Sequence, residues 1–273
     1  MEVVVNTADG AAAAYAYTGG KPFDPGLPCV VFIHGALNDH SVWTLLARWL
    51  AHHGHSVLAV DLPGHGRSGG WPLASVEAAA DWLLAMLDAA GVRGDNQAAL
   101  VGHSMGSLIA LEAAARAPAR VSRLVMIGTA YPMKVSDALL STSRDDPLRA
   151  IDMVNAFSHS GFAAKPSYPG PGNWLHGADR ALMRRVQAGQ TAVNLFHHDF
   201  GVCNAYAGGI EAAARVQCAS HLILGDRDQM TTPKQAREIA EALAAQVHMV
   251  PAGHAVMAEA PEAALAAQRC ALA

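Results

Sequence analysis

Charged and aromatic side chains are scarce in this sequence of 273 residues, at 15% and 6%, and its four cysteines are scattered. No two cysteines have the C-x-x-C spacing, so neither a disulfide framework nor a zinc site is predicted. The formal net charge is only −4 and no block of like charge stands out, which gives no indication of a nucleic-acid partner. No apolar run approaches the roughly 18 residues of a transmembrane helix, and residues 1–10 lack the apolar run of a signal peptide. We therefore expect reduced thiols, no membrane partner and a cytoplasmic location.

Hydrophobic residues are plentiful by contrast, at 52% of the chain, and their pattern predicts an α/β fold. Short runs of valine, isoleucine and leucine alternate with longer stretches rich in alanine and leucine. Most of the short runs are continuous, as is typical of strands buried on both faces of a parallel sheet. Strands are predicted at 3–5, 12–17, 30–33, 57–60, 98–101, 124–127, 222–224 and 247–250, the first two forming a hairpin around Asp9. Helices are predicted at 43–52, 75–90, 107–115, 233–245 (capped by Thr232) and 261–272.

The most informative motif is a G-x-S-x-G sequence at 102–106, between an apolar run and an alanine-rich helical stretch. A serine on a sharp strand-to-helix turn needs small neighbours, and Gly102 and Gly106 have no Cβ to crowd it. The helix that follows directs free backbone N–H groups towards any negative charge formed there. In this context the motif predicts that Ser104 is a nucleophile.

A serine hydroxyl needs a base within hydrogen-bond reach, and fourteen histidines are candidates for that base. We select His254, because it follows the strand-like run 248–250 near the end of the sequence. The carboxyl ends of parallel strands share one edge of the sheet, so this position lies on the same edge as Ser104. The serine, the histidine and an acid from a third part of the chain would then meet at this edge.

Two aspartates are candidates for the acid that orients the base. Asp226 directly follows a glycine, where it could shape the turn or pair with Arg227. Asp228 lies further into the loop, from where a carboxylate can reach sideways to His254. Asp228 is therefore the predicted acid, and it would hold the imidazole tautomer and stabilise the imidazolium.

The tetrahedral intermediate of acyl transfer also needs hydrogen-bond donors for its oxyanion. The backbone N–H of Met105, directly after the nucleophile, is one predicted donor. The second is predicted on the loop after strand 30–33: the N–H of Ala36, with Leu37 as the neighbouring possibility. We expect His34 to brace this loop rather than to transfer protons.

Residues 131–206 interrupt the alternation of strands and helices. They contain helical patches at 137–140, 147–157 and 179–188 and a proline- and glycine-rich stretch at 165–172, without a convincing buried strand. We interpret them as a helical lid inserted into a core of residues 1–130 and 207–273. A long insertion at a loop edge adds little closure entropy, so we expect it to lie above the predicted nucleophile.

Together these motifs resemble the α/β-hydrolase superfamily, in particular its lid-bearing bacterial serine esterases. The resemblance covers residues 30–68, 98–130 and 222–261 but not the lid, and the order serine, acid, histidine is that of the family. It implies Ser104 as nucleophile, Asp228 as acid and His254 as base. The chain departs from the family where Ala36 replaces the usual glycine after the His-Gly pair, which argues against carbon–carbon bond hydrolases.

The expected function is hydrolysis of a carboxylic ester, with a thioester as second choice, through an acyl-enzyme on Ser104. The expected partner is a small, partly apolar ester or acyl substrate, without cofactor or metal; a metal site at 197–199 is disfavoured because adjacent side chains diverge. Alternatives are a carbon–carbon bond hydrolase, a lyase or a perhydrolase on the same triad, or a ligand-binding protein without activity. The sequence does not specify the oligomeric state. The residues predicted to line the pocket are Leu37, Trp174, Phe196, Met230 and Val256.

Overall fold

The computed structural model describes residues 1–7, 10–94 and 96–273, and within them eight strands form one sheet in the order β1-β2-β4-β3-β5-β6-β7-β8. The β1–β2 and β2–β4 pairs are antiparallel and the other neighbouring strands pair in parallel. The predicted turn at Asp9 lies outside the described residues. The strands are β1 (Glu2–Thr7), β2 (Gly10–Tyr17), β3 (Cys29–Ile33), β4 (Ser56–Val60), β5 (Ala98–His103), β6 (Val121–Ile127), β7 (Ala219–Gly225) and β8 (Gln246–Val250).

Helices cover both faces of this sheet. They are α1 (Thr44–Ala51), α2 (Val76–Ala89), α3 (Met105–Arg116), α4 (Asp137–Asp145), α5 (Pro147–Ser158), α6 (Leu175–Gly189), α7 (Leu195–Ala205), α8 (Gly209–Ala213), α9 (Arg237–Ala242), α10 (Val256–Glu259) and α11 (Pro261–Leu272). Short 3-10 turns lie at His40–Trp43 and Pro118–Arg120.

Strand β3 shows why the sequence pattern was continuous rather than alternating. Successive side chains of a strand point to opposite faces of the sheet. Val31 and Ile33 pack in the core beneath α2 and α3, whereas Val30 and Phe32 pack in a second core beneath α1 and α11. Every residue of β3 is therefore buried, and the central strands carry the apolar surface that holds both helical layers in place.

The helix predicted at 233–245 is shorter than expected and begins only at Arg237. The hydroxyl and the N–H of Thr232 both donate to the side-chain oxygen of Gln235, at 2.8 and 2.9 Å. These bonds hold the residues between Thr232 and the start of the helix in turns, so Thr232 does not cap the α-helix directly.

Between β6 and β7 the described chain forms helices α4 to α8 and no strand. These helices have an apolar core of their own, in which Ile151, Leu195 and Phe196 pack against Leu37 of the loop after β3. Helix α7 was not predicted, because its two histidines and its internal glycine hide the helical period; Asn194 begins it by accepting the His197 N–H at 3.2 Å. In the described ranges, no helix combines the length and the apolar character needed to cross a membrane.

Candidate active site

Ser104 occupies the turn between β5 and α3 in a strained backbone conformation. Its φ of 51° and ψ of −119° lie in a region that side-chain-bearing residues rarely adopt. A Cβ on Gly102 would lie 2.1 Å from the Gly106 carbonyl oxygen, and one on Gly106 would lie 2.3 Å from the Ile33 carbonyl oxygen. The turn therefore forms only with glycine at both flanking positions, which agrees with the reasoning from the sequence.

Asp228 and His254 form a buried hydrogen-bonded pair. The Nδ1 of His254 lies 2.8 Å from Oδ2 of Asp228, and the two residues are 6% and 4% exposed. The other carboxylate oxygen of Asp228 accepts the N–H groups of Met230 and Thr231, at 2.8 and 2.9 Å. Asp226, the competing candidate, has a side chain that is 45% exposed and lies beside an arginine at 3.6 Å. The structure thus brings Asp228, and not Asp226, to the predicted base.

The two members of this pair shift each other's pKa. Burial by itself would raise the pKa of Asp228, but the positive charge of His254 and the hydrogen bonds from His254 and Thr231 outweigh it and lower the pKa to about 2. Burial would lower the pKa of His254, but the neighbouring Asp228 carboxylate outweighs it and raises that pKa above its ordinary value. Asp228 is therefore ionised near neutral pH, and His254 is a stronger base than a free imidazole.

Ser104 and His254 line the same cavity, which has a volume of 650 Å³. Within the described part of the chain, the Ser104 hydroxyl makes no hydrogen bond to the imidazole. Because Asp228 engages Nδ1, Nε2 is the ring nitrogen left to exchange a proton with the serine. Catalytic hydrogen bonds are commonly long in ligand-free sites and shorten when substrate binds, so this arrangement is compatible with a nucleophile and its base.

His103, inside the serine motif, holds the loop that carries the base. Its Nε2–H donates to the His254 carbonyl oxygen at 3.0 Å, and the two rings are 4.8 Å apart. Burial and the nearby His254 lower the pKa of His103 to about 3, so its ring is neutral. Sequence reasoning missed this role, which no local pattern reveals because the partner is 151 residues away.

The loop after β3 places Ala36 beside Ser104 in the cavity wall. His34 braces this loop: its Nδ1–H donates to the Gly35 carbonyl at 2.8 Å, and its Nε2 accepts the Leu62 N–H at 3.1 Å. The Leu37 N–H is already engaged with a carboxylate, at 2.8 Å. The Ala36 N–H, by contrast, donates to no acceptor among the described residues. Of the two donors considered on this loop, Ala36 is the unoccupied one.

The N–H of Met105, next to Ser104, likewise donates to no acceptor among the described residues. Met105 is the first residue of α3, directly after Ser104. The first N–H groups of a helix have no acceptor within the helix, and the helix dipole makes that end attractive to negative charge. Ala36 thus lines the cavity beside Ser104, and Met105 follows Ser104 directly in the chain.

Four of the five residues predicted to line the pocket do not line it. Leu37, Phe196 and Val256 are fully buried in the hydrophobic cores, because their apolar side chains gain more from close packing than from lining a cavity. Trp174 is 45% exposed, and its indole N–H donates to a backbone carbonyl of the insertion at 3.1 Å. Only Met230 lies in the cavity wall as predicted.

A family model described as the alpha/beta hydrolase family matches residues 30–268. The chain belongs to the α/β-hydrolase family. The superfamily and the fold class predicted from the sequence are confirmed.

Among the relatives of this α/β-hydrolase, a pimeloyl acyl-carrier-protein methyl ester esterase of Chromobacterium violaceum is 30% identical over 228 residues, which are 79% of this chain and 82% of that protein. Lipase LipV of Mycobacterium tuberculosis is 34% identical over 119 residues, 41% of this chain and 44% of that protein. The chain matches seven curated relatives, including that lipase, over only 33% to 44% of their length.

The solved structure of an enol-lactonase from Burkholderia xenovorans LB400 has the same fold as this hydrolase. The TM-score is 0.81 at 20% identity, and the match covers 98% of this chain and 99% of that one. At this identity the likeness extends to the arrangement of strands and helices and not to the substrate.

The hydrolase has a second, smaller cavity of 310 Å³ on another side of Ser104. Both cavities reach Ala36, Ser104 and Met230, but His254 lines only the larger one. The smaller cavity is enclosed mainly by apolar side chains, among them Met133, Val135, Leu139, Met153, Phe157 and Phe200. Ser104 therefore lies where two chambers of unequal size meet.

Among the described residues, Asp39, His40 and Asp61 form a group whose ligand atoms lie within 4.8 Å of one another. Asp61 already accepts the His40 N–H at 2.7 Å, the His40 Nδ1 at 2.8 Å and the Arg67 N–H at 2.8 Å. Those bonds brace the turn after β4, so this group has a structural role in the hydrolase.

Proposed function

We propose that this α/β-hydrolase cleaves a carboxylic ester through an acyl-enzyme on Ser104, with His254 as base and Asp228 as orienting acid. The observation that carries the proposal is the buried Asp228–His254 hydrogen bond of 2.8 Å beside the cavity that Ser104 also lines. A histidine oriented by a carboxylate next to a serine on a strained turn is the arrangement that serine acyl transfer requires. The relatives include a methyl ester esterase and a lipase, which supports an ester as the bond that is cleaved.

In the first half of the reaction, the Ser104 hydroxyl oxygen attacks the acyl carbon and its proton passes to Nε2 of His254. Asp228 keeps the Nδ1–H in place and stabilises the imidazolium that forms. The negative charge moves to the acyl oxygen, which accepts hydrogen bonds from the N–H groups of Ala36 and Met105. Collapse of the intermediate then breaks the ester bond as His254 gives its proton to the leaving alcohol oxygen.

In the second half, water replaces the alcohol. His254 takes a proton from the water, whose oxygen attacks the acyl carbon on Ser104. The same two N–H groups bind the oxyanion, and the serine oxygen leaves with the proton held by His254. The acid product departs and the free enzyme is restored.

Each of the two chambers would hold one part of the substrate. The leaving oxygen must lie within reach of His254, so the alcohol part extends into the 650 Å³ cavity that His254 lines. The acyl part then occupies the 310 Å³ cavity, whose wall is formed by apolar side chains from α4 and α5 and by Phe200. An acyl chain of medium length fits this description.

We propose that residues 131–206 act as a lid over both chambers. Helices α4 to α7 supply a large part of both cavity walls, so substrate enters past them. Arg185 of α6 donates to Asp39 of the core at 2.8 Å, and the arginine side chain is 65% exposed. The aspartate side chain is only 5% exposed, so this half-buried ion pair links α6 of the proposed lid to the core.

The proposal is tested with a fluorophosphonate probe and p-nitrophenyl esters of graded acyl length. We expect the wild-type protein to be labelled and to hydrolyse the esters, and Ser104→Ala to lose both properties while it keeps its melting temperature. A Ser141→Ala variant, which changes an exposed serine of α4 outside both cavity walls, is the matched control. Unchanged turnover in Ser104→Ala would refute the nucleophile.

A further inference from the structure

A single carboxyl group without a partner lies in the larger cavity. Asp179, in the second turn of α6, lines it together with Ser104 and His254, among mainly aliphatic side chains. Within residues 1–7, 10–94 and 96–273, the Asp179 carboxyl makes no hydrogen bond and no ion pair. The Asp179 side chain is partly exposed, so its carboxyl is open to a molecule that occupies the cavity.

The cations nearest in sequence are engaged elsewhere. Arg180 and Arg184 of α6 bind Asp152 of α5, with shortest separations of 2.5 and 3.3 Å. Arg185 binds Asp39 at 2.8 Å. The three arginines that follow Asp179 on its own helix are thus paired with other carboxylates.

The histidines that face Asp179 do not bond to it either. His159 and His176 influence the Asp179 carboxyl through space, as do His254 and, with the opposite sign, Glu259. Burial raises the pKa of Asp179, and these histidines offset the increase only in part. A donor group on a bound substrate would therefore supply a hydrogen bond that none of the described residues gives to this carboxyl.

We propose that Asp179 is a specificity-determining residue that accepts a hydrogen bond from a hydroxyl or ammonium group on the alcohol part of the substrate. This inference rests on the proposed function, because His254 must protonate the leaving oxygen and lines the same cavity as Asp179. The alcohol part therefore passes from His254 towards Asp179. A polar donor at its far end would meet the unpaired carboxyl, whereas an apolar alcohol would displace solvent from the carboxyl and give it no donor in exchange.

The test compares hexanoate esters of four-carbon and six-carbon alcohols that end in a methyl group, a hydroxyl group or a dimethylammonium group. We expect the wild-type kcat/KM to be about tenfold higher for at least one donor-bearing ester than for its methyl-ended counterpart, a factor that corresponds to about 1.4 kcal/mol. Asp179→Leu should abolish this preference while the methyl-ended ester is cleaved as well as or better than by the wild type. Asp179→Asn should keep a preference for the hydroxyl group and lose one for the ammonium group, which separates the two donors.

Asp137→Leu, which replaces an exposed carboxylate of α4, is the matched control and should keep the wild-type preference. A binding measurement separates failure of this inference from failure of the proposed function. In the Ser104→Ala background, calorimetric titration with the same esters should show tighter binding of the donor-bearing ester, and this gain should vanish when Asp179→Leu is added. If the wild type cleaves all the esters without preference, or if Asp179→Leu retains the preference, the role of Asp179 is refuted. If the wild type cleaves none of them, the proposed ester hydrolase itself is refuted, and the titration still decides whether Asp179 recognises the donor.

Discussion

Asp199 accepts a hydrogen bond from the Leu37 N–H at 2.8 Å, and this bond joins helix α7 of the insertion to the loop that carries Ala36. The same carboxylate oxygen of Asp199 lies 2.9 Å from Nε2 of His65, and both side chains are almost fully buried. Burial would raise the pKa of Asp199, but His65 and the hydrogen bonds outweigh it and lower that pKa. A buried carboxylate of the insertion thus anchors the loop on which the Ala36 N–H depends.

This contact predicts that Asp199→Ala lowers both stability and turnover. Removal of one partner of a buried ion pair costs about 3 to 5 kcal/mol, and the loop of Ala36 loses its anchor. We expect the loss in kcat to exceed the change in KM, since the Ala36 N–H is a proposed donor to the oxyanion. Urea unfolding and steady-state kinetics measure the two effects, and Asp199→Asn, whose side-chain oxygen can still accept the Leu37 N–H, should recover part of kcat. A variant with wild-type stability and kcat would show that the anchor has no role.

Replacement of the two candidate acids should have very different effects. Asp228→Asn removes the charge that orients and stabilises the imidazolium of His254, so we expect kcat to fall by about a factor of 10⁴, as for the aspartate of other serine triads. Asp226→Asn alters a half-exposed carboxylate outside the site and should leave kcat within about twofold, consistent with a surface position. Esterase assays on both variants decide between them, and a larger loss in Asp226→Asn would exchange their roles.

The pKa of His254 predicts the pH dependence of the reaction. Because that pKa is raised, His254 becomes neutral, and so able to act as a base, only above the usual imidazole value of about 6.5. We expect kcat/KM to rise with pH along a limb whose midpoint lies above that value. Asp228→Asn removes the cause of the shift, and its residual activity should have a midpoint at lower pH. A wild-type limb centred below pH 6 would contradict this assignment.

The same pair contributes to stability in a defined pH window. The raised pKa of His254 adds stability below the unfolded value, and this contribution is lost as the pH rises through the folded value. The lowered pKa of Asp228 adds stability above the unfolded value of about 3.9, and this contribution is lost as the pH falls towards about 2. Urea unfolding at a series of pH values should show that Asp228→Asn reduces stability most between these limits. An equal reduction at pH 2 would indicate a loss of packing rather than of charge.

Gly106, two residues after Ser104, should tolerate no side chain. A Cβ on Gly106 would lie 2.3 Å from the Ile33 carbonyl oxygen and 2.5 Å from that of His34, both backbone atoms. We expect Gly106→Ala to destabilise the fold by about 3 kcal/mol or more, because overpacking moves the backbone of β3. Gly189→Ala, at a position with nothing within 4 Å, should change the melting temperature little. Thermal unfolding of both variants is the measurement, and a wild-type melting temperature for Gly106→Ala would contradict the geometry of the turn.

The sequence predicted the burial of β3 and the turn around Ser104, because the apolar run and the glycine motif that indicate them are both local. Continuous apolar runs report burial on both faces, and glycines beside a serine report a crowded turn. The pocket was not readable in the same way. Phe196 and Val256 are apolar, as residues that line a pocket often are, yet they pack in the hydrophobic cores. Asp179 lines the cavity, although its sequence position is typical of an exposed residue on a helix.

By itself, the sequence determined the α/β class, the succession of the eight strands, and the candidates for nucleophile, acid and base, since each follows from short-range periodicity or from the chemistry of a side chain. Tertiary structure alone decided that Asp228 rather than Asp226 meets His254, that Asp199 holds the Leu37 N–H, and which side chains enclose the two cavities. The first two outcomes depend on contacts between residues that lie 26 and 162 positions apart in the chain. Such contacts are selected by packing and by the pairing of buried charges, which no local pattern records.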